Sequence, residues 1–162
     1  MGCVMELFNR TKTFSVDWQE KAGLFVVRVD MLDAYHDMGV EVVIEYPALV
    51  LRAVRPRMDR TPYPVCPESL KRAQACVGMK IETGLHLRLQ RVIGGAEGCS
   101  HITQLLADAC NAAVQGLLAI EAQGEDGRSR RLPAARKIEV LEKYRLPIRD
   151  TCRAYARKDE ES

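Results

Sequence analysis

Apolar and polar residues alternate along the first third of the chain. The stretches TFSVDWQ (from Thr13), LFVVRVDML, VEVVIEY and ALVLRAVRP are rich in Val, Ile and Phe, and their period-two patterning predicts four strands. Lys21-Ala22-Gly23 and Tyr46-Pro47 break the run, so the strands read as an antiparallel meander. The longer break DAYHDMG, Asp33 to Gly39, predicts a loop carrying two carboxylates and the imidazole of His36. Polar loop tips on a rigid sheet are common places for function.

After Pro56 the pattern changes period. Glu68 to Val77 is helix-compatible, with Pro67 suited to a first helical position and Gly78 to a stop. MKIETGLHLRLQRVI alternates at Leu85, Leu87 and Leu89, which suits a strand, yet its length favours a helix. Ile102, Leu105, Leu106, Ala109, Ala113, Leu117 and Ile120 fall three and four apart and predict a long amphipathic helix, capped by Ser100 and stopped at Gly124. GEDGRSRRLP has no period and reads as a linker, AARKIEVLEKYR (134–145) as a last helix ended by Pro147, and ARKDEES as a solvated, disordered tail.

These elements predict an α+β fold: an antiparallel β-meander of about four strands followed by helices packed on one face. The organisation expected is a single core domain over 1–123, a linker over 124–133 and a helical extension over 134–162. A chain of 162 residues that is 47% hydrophobic buries one core and not two. Charge removes one class of partner: residues 124–162 hold 11 Lys and Arg against 8 Asp and Glu, and residues 1–123 hold 13 against 14. Neither part shows the concentrated basic stripe of a nucleic-acid binder. No apolar run approaches the roughly 20 residues of a membrane span. The opening MGCVMELFNR lacks the order of a secretory signal, and Glu6 stands where a myristoylation motif wants Ser or Thr. No membrane partner and a cytoplasmic location are therefore expected.

Six cysteines, Cys3, Cys66, Cys76, Cys99, Cys110 and Cys152, are even in number, but a chain with this much apolar content needs no disulfide staples and reduced thiols are expected. Cys76 and Cys110 sit in helical patterns and read as core fillers. His86, in the leucine run, reads as a surface or half-buried residue. Cys99 and Cys66 each stand at a predicted helix start, where unpaired N–H groups stabilise a thiolate. In GGAEGCSHITQLL, His101 follows Cys99 by two residues. Cys66, Cys99 and His101 would suit zinc or iron, the fourth position going to water, substrate, His36 or Asp37. Cys-x-His alone is a weak metal signal, lacking paired Cys-x-x-Cys or His-x-x-x-His spacing. The plainer alternative makes Cys99 a small buried residue at a tight turn and His101 a half-exposed first-turn residue. The turn GGAEG lacks the Lys-Ser/Thr of a phosphate loop.

Several segments together resemble one bacterial family, the domain of unknown function 2889. They are YHDMGVEVVIE, MDRTPYPVCPES, CVGMKIETGLHLRLQRVIGGAEGCSHITQLL and AAVQG, spanning roughly residues 9 to 120. The resemblance implies that the family's polar positions fall on His36, Asp37, Cys66, Cys99, His101 and Gln115. Ser100 stands where the family has Thr, Ile102 where it has Leu, and Leu85 where it has an aromatic. The family name implies no activity. A more distant likeness, to iron-sulfur scaffold folds, implies architecture alone, because their cysteine-glycine-aspartate block is missing.

The leading expectation is a divalent metal, zinc or iron, held by Cys66, Cys99 and His101, with Asp37 or His36 as proton carrier if the site is catalytic. A metal-free thiol protein or iron-sulfur scaffold is the second reading. The third is an oligomeric interaction domain, with helix 134–145 as docking arm.

Overall fold

The computed structural model describes residues 5–124, 131–148 and 150–156. Cys3, most of the expected linker and the expected solvated tail lie outside the described residues.

Four strands, β1 (Arg10–Gln19), β2 (Leu24–Asp33), β3 (Asp37–Glu45) and β4 (Val50–Arg60), form one antiparallel sheet in the order β1-β2-β3-β4. The α+β meander is therefore the fold. Every second residue of β2 from Phe25 to Met31, and of β3 from Met38 to Ile44, is buried. The register sets them directly opposite one another: Phe25 against Ile44, Val27 against Val42, Val29 against Val40, Met31 against Met38. Such cross-strand pairs are the unit of sheet stabilisation. The outward residues make a solvated face laced with ion pairs, for example Arg28 with Asp17 and Glu41.

The loop expected over 33–39 shrinks to residues 34–36, because β3 already begins at Asp37 and Gly39 lies inside it. Strand β4 runs through Pro56 to Arg60, past the expected break. Pro56 is tolerated because β4 is an edge strand, where a missing N–H need cost no ladder bond.

Helical elements cover the inward face. The stretch from Glu68 expected as an α-helix is instead a 3-10 segment, Cys66–Cys76, with Val77 as its extended cap, and is closed by bonds such as Glu68 N–H to the Val65 carbonyl. Its inward residues explain the difference. Leu70, Ala73 and Cys76 meet the core at intervals of three, the repeat of a 3-10 helix. Helix α1 (Leu85–Ile93) resolves the ambiguous run: Leu85, Leu89 and Ile93 are buried while Leu87 is exposed, a spacing of four. Helix α2 (Ser100–Glu121) is capped by Cys99 rather than Ser100, and Thr103 bonds the Cys99 carbonyl through both its N–H and its hydroxyl. It ends at Glu121, before Gly124. α2 lies across β1, β2 and β3, α1 packs on α2, and the 3-10 segment covers β4.

Helix α3 (Ala134–Tyr144) packs against this body. Val140 and Leu141, with Leu146 and Ile148 beyond the helix, belong to the same apolar core as the sheet. The Tyr144 hydroxyl lies 2.9 Å from that of Tyr46 and donates to Glu121, which also accepts from Lys143 at 3.0 Å. Among the described residues no helix is long and apolar enough to cross a membrane.

Candidate functional site

Asp33 is the residue on which the site is built. It ends β2 at the inward parity of Phe25, Val27, Val29 and Met31, so its carboxylate points into the layer between sheet and helices, 5% exposed. A buried charge is costly unless it is paired and hydrogen-bonded, and this one is. Arg10, its register partner on β1, grips it with Nε at 2.8 Å and Nη2 at 2.7 Å. The N–H groups of Tyr35 and His36 each donate at 2.8 Å, and the His36 ring adds Nδ1 at 3.0 Å. Burial by itself would push the Asp33 carboxyl up; the Tyr35 amide, the Arg10 guanidinium and His36 outweigh it and hold the group well below the usual carboxylate range.

The turn after Asp33 thus fixes His36, which is 8% exposed. An ionised carboxylate only accepts, so His36 Nδ1 must donate, which leaves Nε2 as the ring's acceptor. The partner of His36 comes from the other end of the chain. His101 lies in the first turn of α2, and its ring centroid is 4.3 Å from that of His36, with the planes at 52°. The tight turn before α2 places it there. Cys99 N–H bonds the Ile93 carbonyl at 2.9 Å, and a Cβ on Gly98 would sit 2.1 Å from that same oxygen, so only glycine closes the turn.

Arg10 joins the two halves. Its Nη2 is 3.3 Å from His101 Nε2, and because a guanidinium can only donate, that nitrogen accepts and the His101 proton sits on Nδ1. Burial, then the repulsion that a protonated His36 would exert and the charge of Arg10, push the His101 pKa below its ordinary value. The centre at neutral pH is therefore an ionised carboxylate, an oriented His36, a neutral His101 and a guanidinium touching both Asp33 and His101.

Of the expected site residues, the structure brings His36 and His101 together. Asp37 is half-buried on the opposite face of the sheet end, tied to Arg57 at 2.9 Å. Cys99 is the cap of α2, half-buried against the core. Cys66, half-buried, lines a separate hollow of about 530 Å³ with Ser69, Lys71 and Arg72. All the described cysteines are free; Cys76 and Cys110 are buried core residues and His86 is exposed. Among the described residues no group of three or more His, Cys, Asp or Glu side chains is placed to hold a metal ion.

Two members of the centre, Arg10 and Asp33, were not singled out from sequence. Asp33 left a signal: a carboxylate continuing the inward alternation of a strand, three residues before a histidine. Arg10 left none, since it precedes the apolar alternation and owes its role to register with β2.

Residues 16–115 match the family described as Protein of unknown function (DUF2889), and the chain belongs to that family. No curated protein and no solved structure gives a significant match to it. The matched stretch contains His36 and His101.

Proposed function

We propose that the chain is an acid–base protein in which the His36–His101 pair moves protons on a small organic anion bound beside Arg10. The observation that carries this reading is the orientation of His36 by Asp33, with a neutral imidazole 4.3 Å away. A carboxylate on Nδ1 selects the tautomer whose Nε2 accepts a proton and stabilises the imidazolium that results. His101, kept neutral by burial and by the Arg10 charge, has its Nε2 lone pair on Arg10 and enters the pair as the donor of its Nδ1–H. The contacts to Asp33 and His101 use Nε and Nη2 of Arg10, and the Nη1 group supports recognition of an incoming carboxylate or phosphate. Free thiols suit the reducing cytoplasm in which we place the protein.

Metal binding is the second reading, and one observation favours it. Metal-ligating histidines donate their other ring N–H to a carboxylate, as His36 does to Asp33. His36 and His101 would then hold zinc or iron, which would polarise a carbonyl or activate water. Against it stands the Arg10 cation, already on the Nε2 lone pair of His101.

Imidazole NMR separates the two. Acetate titrated into the protein should move the His36 and His101 signals saturably, and Arg10→Gln should abolish the response. Absence of any acetate response would defeat the acid–base reading. Stoichiometric zinc that moves both rings and is lost in His101→Ala would put the metal reading in its place.

A further inference from the structure

At the end of the sheet that carries the site, regular pairing would set two carboxylates against each other. From Val43 opposite Ala53 to Met38 opposite Met58 the β3–β4 register is regular, and one further step would put Asp37 opposite Asp59. Like charges directly opposite one another destabilise a sheet. The register shifts there instead: Asp59 is left out of the pairing and Asp37 stands opposite Arg60, while the Asp59 carboxylate turns to Arg57. An extra residue of this kind bends the strand and re-aims a side chain. Arg60, the last residue of β4, reaches the turn that joins β2 to β3, and its Nη2 donates to the Asp33 carbonyl at 2.8 Å.

That carbonyl has lost its usual partner. Two-residue hairpin loops favour turns with positive φ at their centre, and a β-turn is often closed by the N–H of its fourth residue on the carbonyl of its first. Neither Ala34 nor Tyr35 has a positive φ, and the His36 N–H goes to Asp33 Oδ1 at 2.8 Å. The carboxylate has thus taken the donor that would close the turn. A backbone carbonyl in a residue only 5% exposed still needs a donor, and Arg60 supplies it. With its carbonyl satisfied, Asp33 keeps its carboxylate on the Tyr35 and His36 N–H groups and on His36 Nδ1.

We propose that Arg60 is a positioning residue for His36. It acts through Asp33, by occupying the carbonyl that would otherwise draw the His36 N–H away from the carboxylate. Arg10 on β1 holds the side chain of Asp33 and Arg60 on β4 holds its backbone, so both edge strands fix the one residue that orients the ring. The inference rests on the acid–base reading for what His36 does, and adds the residue that keeps the ring in the tautomer that reading requires.

Nitrogen-15 NMR of the imidazoles at pH 8 tests it. In the wild type His36 should show a single tautomer, Nδ1–H with Nε2 bare. Arg60→Met keeps the aliphatic stem and removes the donors, whereas Arg60→Lys keeps one donor; Arg60 is exposed, so neither substitution touches the buried core. Arg60→Met should turn the His36 signals into those of a tautomer mixture, and Arg60→Lys should restore the single form. Acetate affinity read at His101 should stay at its wild-type value in both. An Nδ1–H tautomer that persists unchanged in Arg60→Met would overturn the proposal. So would loss of the acetate response in that variant, which would make Arg60 a binding residue for the anion. In the wild type itself, a coupling across the hydrogen bond from an Arg60 guanidinium nitrogen to the Asp33 carbonyl carbon is expected, and its absence would overturn the proposal however the variants fold. A wild type without any acetate response defeats the acid–base reading alone, and the tautomer comparison still decides the role of Arg60.

Discussion

His36 and His101, 65 positions apart in the chain, stand with their ring centroids 4.3 Å from each other. The first is fixed by the turn that closes β2 onto β3, the second by the glycine turn that opens α2. Arg10 links the two turns, binding Asp33 on one side and His101 on the other.

This arrangement makes stability sensitive to acid in two steps. The His101 pKa is depressed from 6.5 in the fold. Below that value the unfolded chain binds a proton that the folded one resists, so stability is lost as the pH falls through the interval beneath 6.5. Asp33 is also depressed, from 3.8; its contribution is present above that value and is lost as the pH falls below it. Thermal midpoints measured from pH 7.5 to 3 should fall in both intervals. His101→Gln should flatten the first and leave the second.

Gly116 sets how closely β1 approaches α2. In Gly116→Val the added atoms meet Val16 and Phe25, and overpacking of this kind costs about 1–3 kcal/mol. Urea unfolding should show that loss, and Val16→Ala in the same chain should recover part of it. Additive losses in the double variant would mean that the two residues do not touch.

Removal of residues 125–162 should destabilise the domain rather than only change its assembly. Val140, Leu141, Leu146 and Ile148 lie in the shared core, and burying a large aliphatic side chain is worth about 1.5–3 kcal/mol. A fall of the thermal midpoint by ~10 °C or more is expected, at about 2–4 °C per kcal/mol for a chain of this size. An unchanged midpoint would show that α3 is dispensable to the fold.

Thiol reactivity should divide the cysteines. Burial pushes the Cys76 thiol up to about 11, and burial with the nearby Cys76 pushes Cys110 up to about 12. Cys152 is exposed. Alkylation at pH 8 followed by peptide mapping should find Cys152 modified in the native protein, and Cys76 and Cys110 modified only after denaturant is added.

The strands and helices were legible because their inward faces repeat. Phe25 to Met31 alternate, and Leu105 to Leu117 recur at three and four. The 3-10 segment was read as α-helix because Leu70, Ala73 and Cys76 alone do not distinguish the two helices without knowledge of what covers them. The candidate site was half legible. His36 and His101 stood out as histidines beside turns, but their pairing depends on the strand register that sets Arg10 against Asp33, and register between distant segments leaves no local pattern. Asp37 and His36 are adjacent, but Asp37 opens β3 while the His36 ring stays with Asp33 in the turn, and the Asp37 carboxylate goes to Arg57.

Whether the two histidines act as one centre is tested most directly by the titration of His101 in wild type and in His36→Gln. The backbone N–H of residue 36 still donates to Asp33, and the substitution removes the neighbouring imidazole. If the rings are coupled, the His101 midpoint followed by imidazole NMR lies below 6.5 in the wild type and rises in the variant. A His101 midpoint already at its ordinary value, or one that the substitution leaves unmoved, would contradict the coupling.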